Sequence, residues 1–206
     1  MTVYYRAGRR LIRGLSPLLL TLEVEGTQNI PKEGGFLILS NHLSALDPLC
    51  LQSSLDREIH AMTKSTQFSH PVFRWLLPRL HAFPTRRYTV DPQCVRTALR
   101  LLHSGAGVCI YAEGERSWTG ELQPFRSGTV RLALKADVPV IPCGMAGTYQ
   151  AQPRWSRRIR RTRVQVRFGP PIHFGPHDSR RERDAAYPAA RARLEGEIRR
   201  LAQLPS

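Results

Sequence analysis

His42 and Asp47 stand five residues apart in Asn41-His42-Leu43-Ser44-Ala45-Leu46-Asp47. An imidazole held by a carboxylate is a general-base pair: the carboxylate fixes the tautomer, and the free ring nitrogen takes a proton from a hydroxyl. On a continuous helix the two side chains would diverge by about 140°, so they meet only across a turn. Pro48 favours a turn, because it disfavours helical geometry at the residue before it. The plainer reading makes Asp47 a helix cap and His42 a loop histidine. A second polar cluster, Glu113-Gly114-Glu115-Arg116-Ser117, runs on towards Gly120 and Phe125-Arg126-Ser127-Gly128. A polar, glycine-punctuated loop leaving an apolar run serves a site better than a core. Neither Ser44 nor Ser117 sits in a GxSxG elbow, so neither reads as a nucleophile. Cys50, Cys94, Cys109 and Cys143 show no CxxC pair and no histidine at metal-ligand spacing. They predict buried thiols in a reducing compartment, with neither a disulfide frame nor a metal site.

These residues need a scaffold, and apolar runs alternate with segments of helical period. Phe36–Leu39 predicts a buried parallel strand ending at Asn41-His42. Asp47-Pro48 predicts a cap and first helical residue for a short helix to about Leu55. Asp91-Pro92 repeats the signal ahead of Val95, Leu99 and Leu102, an amphipathic helix. Gly107–Ala112 is the next strand, Ser127 caps a helix carrying Val130, Ala133 and Leu134, and Val138–Ile141 is a further short strand. The Leu194, Ile198 and Leu201 stripe predicts core packing. Such alternation implies an α/β fold, a mostly parallel sheet flanked by helices, with chemistry at the carboxyl ends of the strands. Both polar clusters fall at such ends.

The 206 residues suit one domain, and 41% hydrophobic with 23% charged residues marks a globular chain. The formal charge is +15, and apart from Lys32, Lys64 and Lys135 every cation other than histidine is an arginine. A polyanionic partner is expected, nucleic acid or an anionic membrane surface. Much of the charge is localised. Arg154, Arg157, Arg158, Arg160, Arg161 and Arg163 lie without an acid between Pro153 and Arg163. Arg6, Arg9, Arg10 and Arg13 recur at helical spacing in residues 1–22, where Tyr4, Leu11, Leu15, Leu18 and Leu22 form another face. That pattern, interrupted at Pro17, predicts two short interfacial helices or one helix and a turn. Residues 1–22 are therefore read as a basic amphipathic membrane-contact segment and 23–206 as a single domain. No signal peptide or transmembrane run is expected, which places the protein in the cytoplasm, peripheral on the inner face of a membrane.

Four blocks occur in order: Asn41-His42 with Asp47-Pro48, then Phe83-Pro84-Thr85-Arg86, then Glu113-Gly114-Glu115-Arg116-Ser117, then Val138-Pro139-Val140-Ile141-Pro142. Together they resemble the glycerolipid acyltransferase family, whose blocks are NHxxxxD, FxxR, EGTRS and VPVxP, from about Val24 to Pro171. The resemblance implies a glycerol-3-phosphate acyltransferase-like fold, with His42 as general base and Asp47 as its orienting partner. It implies acyl transfer from acyl-CoA or acyl carrier protein to a lysophospholipid hydroxyl, with 1-acylglycerol-3-phosphate the best-fitting acceptor. Another lysolipid or hydroxylated acceptor is the alternative. No tightly bound cofactor and no covalent acyl-enzyme are needed. Arg86 and Arg116 map onto the family's phosphate-binding residues, and Lys64 is a further candidate. Glu113 and Gly114 match its acidic residue and turn, Glu113 holding an acceptor hydroxyl or Arg116, while Val138–Pro142 shapes an acyl channel wall.

Departures from the pattern are Glu115 in place of Thr, Leu80 in place of Gly, Pro84 at a branched apolar position, and Tyr111-Ala112 in place of Phe-Pro. Glu115 sets a carboxylate beside the phosphate site, where it opposes an anionic acceptor. Two other readings use the same residues. An Arg-rich nucleic-acid-binding module with Trp155 as a stacking residue explains the charge but neither His42, Asp47 nor the Glu113 loop. A catalytically weak lipid-binding protein on the same fold explains the scaffold.

Overall fold

The structure is a computed structural model describing residues 3–89, 91–177 and 179–203, with side chains at 15–17 outside the described set. Among these residues seven strands form one sheet: β1 (Leu20–Glu25), β2 (Phe36–Ser40), β3 (Ile59–Lys64), β4 (Ala82–Thr85), β5 (Gly107–Tyr111), β6 (Val140–Ala146) and β7 (Thr162–Phe168). Their order is β1-β7-β6-β2-β5-β3-β4. From β6 to β4 all pairings are parallel, whereas β7 runs antiparallel to β6 and carries β1 parallel to itself. The α/β sheet is mostly parallel, as expected, and the ends of β2, β3, β4, β5 and β6 share one edge. Pro84 is accommodated because β4 is an outer strand, where a missing N–H leaves no ladder partner unpaired.

Side-chain alternation divides the core between the two faces of the sheet. Leu37, Leu39, Val108 and Ile110 pack against α4 (Pro92–His103), α5 (Ser127–Ala136) and α7 (Arg180–Leu201). Phe36, Ile38, Cys109 and Tyr111 face the layer of α2 (Asp47–Ser54), through Cys50 and Leu51. All four cysteines are free and buried, and Leu194, Ile198 and Leu201 pack inward from α7. Asp91 caps α4 by accepting from the Cys94 amide. Ser127, expected to cap α5, is instead its first residue after Arg126, without a side-chain cap bond. The strand expected at 138–141 begins two residues later, where the Pro139 carbonyl just ahead of it accepts from the Leu37 amide, and runs to Ala146 through its antiparallel pairing with β7.

The N-terminal segment differs most from expectation. A single helix, α1 (Val3–Leu19), continues through Pro17 and passes directly into β1, so the boundary expected after residue 22 falls inside a strand. Pairing with β7 draws Leu22 into the sheet and off the expected apolar face. The side chains of Leu15 and Pro17 lie outside the described residues. Tyr5 is buried at 2% exposure, accepts from the Ile59 amide and stacks on His81. Arg9 and Arg13 donate to the Leu55 and Ser53 carbonyls at the end of α2, at 2.6 and 2.7 Å. Cations suit the carboxyl end of a helix, where carbonyls lack internal partners. Two of the four arginines assigned to a membrane therefore hold α1 on the domain, while Arg6 and Arg10 remain exposed.

Candidate active site

At the end of β2 the chain turns sharply. Asn41 bridges to β6, donating to the Met145 carbonyl at 2.9 Å and accepting from its amide at 2.8 Å. A turn at Ala45-Leu46 then brings Asp47 back towards His42. The turn ends one residue before the position Pro48 had suggested, because Pro near a helix start needs no N–H and Asp47 is itself helical. Nor does Asp47 cap α2. Its Oδ2 accepts from His42 Nδ1 at 2.7 Å and from the Leu43 and Ser44 amides at 2.7 and 2.8 Å. The loop thus wraps a fully buried carboxylate, and that carboxylate fixes the ring.

With Nδ1–H donated to Asp47, Nε2 of His42 is the acceptor, and no partner occupies it among the described residues. The side chain keeps 10% exposure, enough to meet a substrate at one edge. Burial drives the imidazole pKa below its ordinary 6.5; the Asp47 hydrogen bond and charge oppose the shift, and Arg87 and Arg116 assist it. The ring is therefore neutral at pH 7, the state a general base requires. Tyr111 stacks on it with centroids 3.9 Å apart and planes 16° from parallel.

β5 delivers the second cluster beside the first. The Ala112 amide donates to Ser40 and the Ser117 amide to the His42 carbonyl at 2.7 Å, so the two loops are laced together. Gly114 turns at φ 74°, and a Cβ there would come within 3.0 Å of the Arg126 side chain. Glu113 is 2% exposed, and among the described residues neither carboxyl oxygen has a hydrogen-bond partner, so it does not hold Arg116. Burial raises its pKa to about 8, against weaker opposing pulls from nearby amides, so it is mainly protonated at pH 7. Glu115 behaves differently. Its carboxylate takes Arg154 at 3.0 Å, Arg126 at 3.2 Å and the Tyr88 hydroxyl at 3.2 Å. The hydrogen bond from Arg154 chiefly holds the Glu115 pKa below the usual carboxylate range. The charge expected to repel an anionic acceptor is already engaged by cations.

His42, Asp47, Glu113, Gly114 and Arg116 are brought together. Lys64 ends β3 opposite Thr85 at the same sheet edge, but makes no bond to the other candidates among the described residues. Arg86 turns aside: its side chain is 68% exposed and lies 3.8 Å from Asp91, while its amide donates to the same carboxylate. Arg87 is the half-buried neighbour whose charge reaches both His42 and Arg116. Burial lowers the pKa of Arg87 and of Arg116, and Arg154 adds repulsion in each case. Mutually repelling guanidiniums beside a base make a place for an anion. Arg87, Arg154 and Tyr111 join the site although the sequence pattern assigns Arg154 to the basic run and Tyr111 to a packing variation. The doubled Arg86-Arg87 is the local signal for the first, whereas the basic run that contains Arg154 gives no sign of its contact with Glu115 and Arg116 in a different loop.

Residues 21–146 match the family described as Acyltransferase. The chain belongs to that family. It is 28% identical over 153 residues to the 1-acyl-sn-glycerol-3-phosphate acyltransferase of Bacillus subtilis (strain 168), covering 74% of each. It is 32% identical over 163 residues to a chloroplastic 1-acyl-sn-glycerol-3-phosphate acyltransferase of Arabidopsis thaliana, covering 76% of this chain and 45% of that one. A Brassica napus counterpart is 32% identical over 142 residues, or 66% and 40% of the two chains. This acyltransferase-family chain thus spans less than half the length of the two plant relatives. The crystal structure of a 1-acyl-sn-glycerophosphate acyltransferase from Thermotoga maritima superimposes with a TM-score of 0.76 at 21% identity, covering 96% of this chain and 79% of that one. That likeness is one of fold.

Proposed function

We propose that the protein transfers a fatty acyl group from an acyl thioester, acyl-CoA or acyl carrier protein, to the free hydroxyl of 1-acylglycerol-3-phosphate, forming phosphatidate. The observation that carries this reading is the 2.7 Å His42–Asp47 contact, with Nε2 left open beside Arg116 and Arg87. Nε2 takes the acceptor's hydroxyl proton as its oxygen attacks the thioester carbonyl. The tetrahedral adduct then collapses, the C–S bond breaks, and the imidazolium returns its proton to the departing thiolate. Asp47 steadies the transient imidazolium without needing to take up the proton. Arg116 and Arg87 receive the acceptor phosphate, and neutral Glu113 offers an O–H towards the acceptor. The similarity to 1-acyl-sn-glycerol-3-phosphate acyltransferases supports the phosphate-bearing acceptor over another lysolipid.

The same reading places the protein on the cytoplasmic face of a membrane, where its acceptor lies. Val3, Tyr4 and Leu11 are exposed on α1. Val72, Phe73 and Trp75 are exposed on α3 (Pro71–Arg79), with Tyr4 and Trp75 in edge contact at 5.8 Å. These apolar side chains, beside Arg6 and Arg10, suit the headgroup layer of an anionic bilayer. Among the described residues no helix is long and apolar enough to cross a membrane. The test is product analysis by mass spectrometry after a panel of lysolipids is offered with acyl-CoA or acyl carrier protein. Phosphatidate from 1-acylglycerol-3-phosphate supports the reading, and acylation confined to neutral lysolipids contradicts it.

A further inference from the structure

The segment between β6 and β7 carries the densest positive charge in the chain, and it abuts the catalytic loops. Gly147 follows the end of β6, adopts φ 85° and approaches the Arg163 carbonyl so closely that a Cβ would lie 2.0 Å from it. A single helical turn, α6 (Thr148–Ala151), follows. The Ser44 hydroxyl donates to the Gln152 carbonyl at 2.8 Å, two residues along from His42. Arg154 donates to the Arg116 carbonyl at 2.9 Å while pairing with Glu115. The Arg160 amide returns to the Ala151 carbonyl at 2.8 Å, closing the intervening residues into a compact loop.

On this loop stands an aromatic ledge. Trp155 is 64% exposed and rests edge-on against Tyr149, with centroids 5.7 Å apart and planes at 84°. The Tyr149 hydroxyl donates to the Trp118 carbonyl at 2.9 Å, and the Arg154 guanidinium lies 3.8 Å from the Trp118 ring centroid. Trp155 is thus braced from beneath while much of its surface faces solvent. On the same loop Arg157, Arg158, Arg160 and Arg161 are exposed and have no ion pair among the described residues. Arg163, counted in the same basic run, belongs elsewhere: it pairs with Glu23 of β1 at 2.7 Å. A braced, exposed indole on a short loop that also carries four unpaired arginines presents a stacking face and phosphate forks together. A bilayer also takes an indole beside cations, as at Trp75, but this ledge is bonded through Gln152 and Arg154 to the loops that carry His42 and Arg116, where a soluble thioester donor must arrive. A nucleoside phosphate uses both indole and cations.

We propose that this ledge binds the adenosine phosphate end of acyl-CoA, the adenine stacking on Trp155 and the phosphates meeting Arg157 and Arg158, so that the flexible arm of the donor extends past Gln152 and Arg154 to His42. The inference rests on the acyl-transfer reading, because that reading supplies the thioester, and it selects CoA over the carrier protein as donor. Its binding test needs no turnover. The full chain is titrated with adenosine 3′,5′-bisphosphate and with CoA at about 0.15 M ionic strength, followed by calorimetry and by tryptophan fluorescence. Wild-type protein binds both ligands. Trp155→Ala and the double variant Arg157→Gln/Arg158→Gln each weaken binding about tenfold, the scale of one lost stacking or charged contact. In steady-state assays the same variants raise KM for acyl-CoA about tenfold and leave kcat and the acceptor KM within twofold.

Nucleotide binding without acyl transfer would uphold the ledge and defeat the acyl-transfer reading. Failure of wild-type protein to bind either nucleotide, or unchanged affinity in both variants with melting temperatures preserved, overturns the proposal. So does loss of anionic-vesicle flotation in the double variant with nucleotide affinity intact, which would assign the arginines to a membrane. A rise in KM for the acyl carrier protein donor alone would assign them to that acidic protein and equally overturn it.

Discussion

The turn leaving β2 and the loop leaving β5 meet at one site and treat their carboxylates in opposite ways. Asp47, in the first, sits within its own short turn and receives two local amides and a ring N–H on one oxygen. Glu113 and Glu115, in the second, divide the work: one is buried with no hydrogen-bond partner, the other is tied to Arg126, Arg154 and Tyr88 from distant parts of the chain. A pair closed by local bonds is held before substrate arrives, which is what positioning a base requires. A loop with an unsatisfied carboxyl and mutually repelling arginines has interactions still to make, and a hydroxylated, anionic acceptor is the ligand that makes them.

The contrast breaks most completely at Asp47. Asp47→Asn keeps the shape but loses the charge that fixes the tautomer, and kcat should fall about 10²- to 10⁴-fold. Full activity in that variant, by initial-rate assay, would leave the turn without a catalytic role. In the β5 loop the expected losses are in substrate affinity. Arg87→Ala and Arg116→Ala should each raise KM for the phosphate-bearing acceptor about 10- to 100-fold, as loss of a charged hydrogen bond does. Arg86→Ala should stay within about twofold of wild type, within the small effect usual for an exposed ion pair. Reversal of the Arg86 and Arg87 effects in a kinetic comparison would place the phosphate on the other side of the strand.

Two further measurements sharpen the comparison through pH. Because burial holds the His42 pKa below its ordinary value, the acid limb of kcat/KM should lie below the usual imidazole range of about 6.5. Glu113 titrates the other way. Its pKa rises from 4.5 to about 8 on folding, so the native state binds more protons than the unfolded chain between those values. Stability should therefore decline as pH rises through that window and level off above it. Glu113→Gln removes the ionisation and should be more stable than wild type by about 1–3 kcal/mol near pH 8, the scale of an uncompensated buried polar group. The difference should vanish near pH 4, and a thermal melt that shows no such convergence would place the Glu113 proton elsewhere. The smallest expected effect is at the stacked ring. Tyr111→Phe keeps the His42 stacking and deletes a buried hydroxyl without a partner, so rate and stability should change little.

The parts of this site legible in the sequence are those whose partners are near in the chain. His42, Asp47 and Pro48 contain their own turn, and the strand–helix alternation placed both polar clusters at the same sheet edge. Arg87 was hidden by a one-residue ambiguity, since neighbouring residues at a strand end point to opposite sides. Glu115 read as a repulsive charge because its main partner, Arg154, is 39 residues away. The helix through Pro17 was obscured by the proline, and the burial of Tyr5 depends on Ile59 and His81, which no local pattern announces. β7 did carry a signal: Val164, Val166 and Phe168 alternate with Arg163, Gln165 and Arg167 in a half-buried strand pattern. The basic run masked it. With Arg9 and Arg13 bound to the end of α2 and Arg163 bound to β1, part of the +15 proves to be structural.

The most direct test offers purified wild-type protein and His42→Ala the same 1-acylglycerol-3-phosphate and acyl thioester, and follows phosphatidate by mass spectrometry. Product from the wild type, with at least about a hundredfold slower formation by a His42→Ala variant of unchanged melting temperature, is the predicted result. Equal rates from the two proteins would contradict the assignment of His42 as the base.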